Sequence, residues 1–288
     1  MKNIFLYIFF LATICSNSSC AQTKQAAVNT AAQKTGTAED NKAFKFEKSI
    51  EGNFSMMEVD VLGNLYLVNT GNQLKKLDAN GDSVAVFNDV KKYGTLTLID
   101  VSNPLRPLLY YQGFSTVLML DRLLSLRNSI NFRKQNIFSV KTLAASYDNN
   151  IWIFDEQDFK LKKIDADGKL LQETTDWRML FAEVPEPVKI TDSEGFVYLY
   201  DEEKGFFIFD YYGSLKSNLP FLHWKHTAIS GKKIYGFSNN LLNSYELQSL
   251  NLKTYAIPAE FTGYADIKAV NGKVYLLKTE AVEIYSVQ

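Results

Sequence analysis

Few residues in this chain have the types and spacing needed for chemistry. Its 288 residues include only two histidines and two cysteines. Those side chains most often serve as nucleophile, base or soft metal ligand near neutral pH, so a Cys/His nucleophile or a zinc site is hard to assemble. The two histidines fall in His223-Trp224-Lys225-His226. On a strand, positions i and i+3 face opposite sides, so this pair is not expected to hold one metal ion together. Recurring aspartates offer carboxylates for acid–base work or calcium. Most of them open an Asp-x-x-Gly turn, as at Asp60, Asp78, Asp165, Asp192 and Asp210. Aspartate there accepts its own backbone amides and glycine supplies the positive φ, so turn formation is the expected role. No P-loop, G-x-S-x-G or H-E-x-x-H occurs. The sequence therefore predicts no catalytic set, no metal site and no cofactor.

The elements that would position such residues form a repeat. Asp60 to Leu67 (DVLGNLYL) leads to Leu74-Lys75-Lys76-Leu77-Asp78 and Gly81. Asp148 to Phe154 (DNNIWIF) leads to Leu161-Lys162-Lys163-Ile164-Asp165 and Gly168. Asp192 to Leu199 (DSEGFVYL) leads to Phe206-Phe207-Ile208-Phe209-Asp210 and Gly213. With Leu118-Met119-Leu120-Asp121 included, the closing aspartates 78, 121, 165 and 210 are 43, 44 and 45 residues apart. Two weaker copies start at Gly231 and Gly272 and lack the closing Asp. A period of about 40–45 residues built from strands alone marks propeller blades. The expected fold is all-β: a six-bladed β-propeller over 44–288 with four-stranded antiparallel blades. The last blade ends after its third strand, so the spare N-terminal strand Phe44–Ile50 is expected to close it and remove an exposed edge. The high aromatic content, 14%, suits sheets stacked face to face.

The D-x-x-G-x-Φ-Y-Φ strand followed by Φ-x-x-Φ-D-x-x-G, where Φ is apolar, resembles the NHL-repeat and TolB-like six-bladed β-propellers. That architecture hosts lactonases, peptidase accessory domains, sensors and scaffolds, so the resemblance implies fold more than function. A lactonase of this kind would gather Glu, Asp and Asn around calcium on the first strand of each blade. The stretches expected to line the channel are 55–59, 95–100, 141–145, 188–190, 225–229 and 265–269. Glu58, Asp100 and Asp266 are their only acids, against Lys141, Lys189, Lys225 and Lys268. A mixed or positive channel disfavours a divalent cation.

The N-terminus reads as an address. Met1-Lys2-Asn3 is positive and Ile4–Ile14 is an apolar run of eleven residues, too short to span a bilayer but fitting a signal peptide over 1–20. Ser19-Cys20-Ala21 resembles a small-x-Ala cleavage site. Alternatively, Cys20 resembles the acceptor cysteine of bacterial lipoproteins, with Asn17 where an aliphatic residue is usual, which makes Cys20 the candidate lipid attachment. Residues 21–43 form a polar tether, expected to be disordered because Ala21–Asn41 has no aromatic, Leu, Ile or Met. Both cysteines lie within the first twenty residues, so no disulfide is expected inside the domain. Together these features resemble envelope proteins of Gram-negative bacteria: exported, periplasmic or at the outer membrane, and touching the membrane only through a lipid anchor.

Net charge is −1, which argues against nucleic acid as a partner. Two segments exceed a minimal blade. Asp176 to Pro187 carries Trp177, Arg178, Met179 and Phe181, residue types enriched in interface cores. These four are the candidate partner-binding residues; the alternative is a loop folded back over the blade junction. Asp121–Lys141 carries Arg122, Arg127, Arg133, Lys134 and Lys141, for an acidic partner, anionic headgroups or simply solvent. The expected function is a non-enzymatic interaction or accessory module for an envelope protein partner. The rival is a calcium-dependent lactonase-type hydrolase or a sugar- or small-ligand-binding propeller.

Overall fold

Each hairpin begins with a local reason to turn. The Asp60 Oδ1 accepts the amides of Leu62 and Asn64, both at 2.9 Å. Asp78, Asp121, Asp165 and Asp210 repeat this, each taking amides two and four residues ahead. A carboxylate that satisfies two backbone donors closes the turn without help from the rest of the chain. In the last two blades the weaker repeats have another device. Asn239-Asn240 and Asn271-Gly272 are two-residue connections with both φ angles positive. Such turns match the twist of the flanking strands and need no Asp-x-x-Gly.

The computed structural model describes residues 44–287. The leader 1–20, the tether 21–43 and Cys20 lie outside them. The strands form six four-stranded antiparallel sheets. A single strand, β1 (Phe44–Glu51), precedes the first blade. Blade one is β2 (Phe54–Val59), β3 (Leu65–Asn69), β4 (Leu74–Leu77) and β5 (Ser83–Phe87). Blade two is β6 (Leu98–Asp100), β7 (Leu108–Tyr111), β8 (Thr116–Leu120) and β9 (Leu126–Asn131). Blade three is β10 (Val140–Ala145), β11 (Ile151–Asp155), β12 (Lys160–Ile164) and β13 (Leu170–Glu173). Blade four is β14 (Lys189–Ser193), β15 (Phe196–Asp201), β16 (Gly205–Asp210) and β17 (Leu215–Leu219). Blade five is β18 (Lys225–Ser230), β19 (Lys233–Ser238), β20 (Leu241–Glu246) and β21 (Asn251–Ala256). Blade six is β22 (Asp266–Val270), β23 (Lys273–Leu277) and β24 (Ala281–Val287), with β1 as its outer strand. No helix among the described residues is long and apolar enough to cross a membrane.

Period-2 patterning decides which neighbour each side chain meets. On β15, Val197 and Leu199 pack toward blade three, while Tyr198 and Tyr200 pack toward blade five. On β3, Leu65 and Leu67 face blade six and Tyr66 and Val68 face blade two. The buried apolar residues accordingly form six clusters, one at each blade junction.

The N-terminal strand closes the ring as the sequence predicts. β1 runs antiparallel to β24, from Phe44 opposite Val287 to Glu51 opposite Ala281, with one bulge between Phe46 and Lys48. Lys48 Nζ also donates 2.9 Å to the Ala79 carbonyl of blade one. Deleting residues 1–51 should strand β24 as an open edge and lower the melting temperature by more than about 10 °C. Thermal denaturation checks this, and an unchanged transition would refute closure by β1.

Candidate functional site

The connection Thr174–Val188 between blades three and four holds all four candidate partner-binding residues. Its first turn, Trp177–Met179, is a 3₁₀ turn capped by Asp176, whose carboxylate accepts the Arg178 amide at 2.9 Å. Trp177 is 0% exposed. Its ring stacks on Phe209 at 5.4 Å and 5° and touches Phe154 and Phe181. Its Nε1 donates 3.1 Å to Thr174 Oγ1. Phe181 is half-buried, edge-on to Phe207 at 5.1 Å. The structure therefore places the Trp177 ring wholly within the junction and the Phe181 ring half-buried beside it, where they fix the loop. The cause is the apolar gap between blades three and four, which a large aromatic fills more favourably than water.

Arg178 and Met179 lie on the outside of that turn. Arg178 chelates Asp176 through Nε at 2.9 and 3.1 Å and sits over the Phe159 ring at 5.0 Å. The hydrogen bonds from Arg178 pull the Asp176 carboxyl down to about 2. Met179 is 81% exposed, with exposed Leu180 beside it. Connections from one blade to the next all emerge at one end of a propeller. Exposed Phe138 and Leu222, on the connections either side of this one, share that end. In the basic segment, Arg127 pairs with Asp121, Arg133 donates to Ser115 Oγ, and Lys141 pairs with Glu156.

The central channel is the second candidate. It encloses about 500 Å³ and is lined by the inner strands β2, β6, β10, β14, β18 and β22. Of the four lysines on the predicted stretches, Lys189 and Lys268 line it, whereas Lys141 and Lys225 pair with Glu156 and Glu202. Polar bridges cross between blades here. Lys268 Nζ donates to Glu58 at 2.7 Å and lies 3.5 Å from Asp266, whose other oxygen meets His226 Nδ1. Burial alone would raise the Asp266 carboxyl, but His226 and Lys268 outweigh it and hold it below the usual range. Lys189 donates to the Thr227 carbonyl, and Asp100 accepts the Ala145 amide. His226 has a left-handed φ of 51° in a bulge of β18. The two histidines serve separately: His223 meets Glu203 at 3.4 Å, and His226 meets Asp266. Among the described residues, no three His, Cys, Asp or Glu side chains are grouped to hold a metal ion.

One node was hidden in the sequence. Asp192 occupies a turn-opening position, yet its side chain caps no turn of its own. It accepts Ser146 Oγ at 2.9 Å, Trp152 Nε1 at 3.0 Å and the Tyr147 amide at 3.3 Å, all from blade three, and also the Tyr211 hydroxyl. Tyr211 stacks on Tyr147 at 4.5 Å, and Lys163 Nζ sits among the rings of Tyr147, Trp152 and Tyr211. Lys163 is also paired with Asp148 at 2.6 Å. The only sequence signal was the Tyr147 and Tyr211 pair flanking the same kind of turn.

No protein-family model matches the chain, and no curated protein matches its sequence. Solved structures match in fold. A catalytically inactive histidine-to-alanine virginiamycin B lyase from Staphylococcus aureus, with quinupristin, is 11% identical with a TM-score of 0.56, covering 85% of this chain and 100% of that one. The WD40 domain of Pan2 from Neurospora crassa is 9% identical with a TM-score of 0.57, covering 88% and 98%. PorZ, an essential surface component of the type-IX secretion system of Porphyromonas gingivalis, is 12% identical with a TM-score of 0.52, covering 82% of this chain and 32% of PorZ. At these identities the similarity establishes the propeller architecture; the NHL-repeat and TolB-like families gain no support from it.

Two substitutions test this geometry. Asp192→Ala leaves buried donors of blade three unpaired and should cost about 2–3 kcal/mol in urea denaturation. Asp266→Asn should cost on the order of 2 kcal/mol at pH 7, because the carboxyl is held down in the folded state. That contribution is full above the unfolded carboxyl value near 4 and is lost as pH falls through the lower folded value. The gap between native and variant should therefore close in acid; a gap independent of pH would refute the pairing.

Proposed function

We propose that this protein is an interaction module of the bacterial cell envelope, an accessory or scaffold subunit that holds a protein partner at the blade-connection end of its propeller. The observation that carries this reading is Met179: an exposed apolar side chain on a turn whose backbone is fixed from below by a wholly buried tryptophan. A partner that takes up Met179 and Leu180 gains apolar burial while the loop loses little freedom, because the loop is already ordered. Arg178, clamped by Asp176, supplies a polar edge in fixed position. Binding energy at interfaces concentrates in such few preorganised residues.

The leader, the polar tether and the candidate lipidated Cys20 support an envelope location. PorZ supports the kind of role, as a surface component of a secretion system that carries a propeller of similar fold. The lyase neighbour favours the rival, since the same architecture there serves catalysis with a small molecule. Against a calcium-dependent lactonase stands the state of the channel acids. Glu58 and Asp266 are taken up by Lys268 and His226, while Asp100 accepts backbone amides and Asp192 the donors of blade three. Calcium would have to displace those cations from its oxygen ligands.

Photo-crosslinking from position 179 in intact envelopes, followed by purification, tests the reading. One envelope protein should be captured. Met179→Asp should reduce its co-purification at least about tenfold with an unchanged melting temperature. Trp177→Ala should both lose the partner and destabilise the fold by about 3–5 kcal/mol. Undiminished co-purification with Met179→Asp would contradict this docking surface.

A further inference from the structure

Two half-buried charges of opposite sign line the channel with neither a counterion nor a full set of hydrogen-bond partners. Lys189, on β14 of blade four, has only the Thr227 carbonyl as hydrogen-bond partner and no carboxylate within salt-bridge distance among the described residues. Asp100, on β6 of blade two, accepts the backbone amides of Ser102 and Ala145 and has no cation within salt-bridge distance among the described residues. The other charged groups on the inner strands are satisfied: Glu58 and Asp266 by Lys268 and His226, Lys141 and Lys225 by Glu156 and Glu202, and Asp192, without a cation, by Ser146, Tyr147, Trp152 and Tyr211.

Blade three stands between these two charges, and its inner strand carries a third unmet group. Thr142 is 1% exposed, lines the channel, and its Oγ1 has no hydrogen-bond partner among the described residues. Beside Lys189, Tyr200 is its directly opposed cross-strand neighbour and also lines the channel. The Tyr200 hydroxyl lies near the Trp224 backbone without reaching hydrogen-bonding geometry. Buried polar groups are ordinarily satisfied, and buried charges are ordinarily paired. Thr142 and Tyr200 are exceptions, and with the half-buried Lys189 and Asp100 they set four incompletely partnered groups around one cavity of about 500 Å³, as a site for a small ligand would.

We propose that the channel binds a small zwitterion, its carboxylate on Lys189 and its ammonium on Asp100. The sign pattern selects this class. A simple anion satisfies Lys189 but adds repulsion at Asp100, and a simple cation does the reverse. A molecule carrying both charges completes both sites and leaves the net charge of the channel unchanged. The hydroxyls of Thr142 and Tyr200 can donate to or accept from its polar atoms. Met56, Leu98 and Val188 supply apolar wall for the body that joins its ends. Burial pushes the Asp100 carboxyl up and the Lys189 ammonium down. This site is independent of the Met179 surface.

Isothermal titration of the native protein with glycine, β-alanine, γ-aminobutyrate and ε-aminocaproate tests the proposal, with butyrate and butylamine as single-charge controls. The chain length that fits the spacing of Asp100 and Lys189 should bind at least about tenfold tighter than either control. Lys189→Met and Asp100→Asn should each abolish that preference, and Met179→Asp should leave it intact. No saturation by any of the amino acids up to about 10 mM, or a single-charge control that binds as well as the best of them, would overturn it. The comparison among these compounds is made on the native protein, so it decides the matter even if a channel variant fails to fold.

Discussion

A four-stranded blade of this protein has two apolar faces and can bury neither alone. Every blade depends on both neighbours, so the structure exists only as a closed ring. The six apolar clusters make the constraint concrete: each is assembled from two adjacent blades, and none lies inside a single one. The ring closes where β1 completes blade six by pairing with β24, joining residues more than two hundred positions apart in sequence. Everything said about channel and surface presupposes that this seam holds.

Apolar packing sets the stacking, and polar contacts near the axis fix the angle of each blade to the next. Asp100 meets the Ala145 amide between blades two and three, and Asp192 collects blade-three donors at the following junction. Lys189 reaches Thr227, His226 reaches Asp266 and Lys268 reaches Glu58 at the next three. Between blades one and two the bridges lie farther out: Asn72 donates to the Gly94 carbonyl and accepts the Leu96 amide, and Lys76 donates to the Arg122 carbonyl. Low local dielectric strengthens such bridges and raises the cost of leaving one incomplete. The same ring of contacts thus gives the propeller its rigidity and leaves the uncompensated charges of Lys189 and Asp100 facing the cavity.

The fold was legible in the sequence because its causes are local. Asp78, Asp121, Asp165 and Asp210 turn the chain through their own carboxylates, and period-2 alternation along β3 and β15 gives each face its neighbour. Even the closing strand could be read, since blade six lacked an outer strand and Phe44–Ile50 was unclaimed. The sites were less legible because they depend on what lies across a junction. Asp192 and Asp210 share the Asp-x-x-Gly pattern, yet only Asp210 caps a turn, while Asp192 stays within β14 and faces the Ser146 and Trp152 donors of the preceding blade. Trp177 and Met179 stand two residues apart with similar interface propensity. The gap between Phe154 and Phe209 takes the first and leaves the second outside, and nothing in a single chain of residue types says which it will be. Lys141 and Lys225 resembled Lys189 and Lys268 as channel cations until Glu156 and Glu202 were placed beside them.

Closure by β1 is the claim on which the rest stands, and hydrogen exchange reads it amide by amide. The account predicts that the paired amides of β1 and β24 are protected to the same free energy as those of β15 and β16 on the far side of the ring, opening only with the whole domain. Rapid exchange in β1 while β15 and β16 stay protected would contradict it.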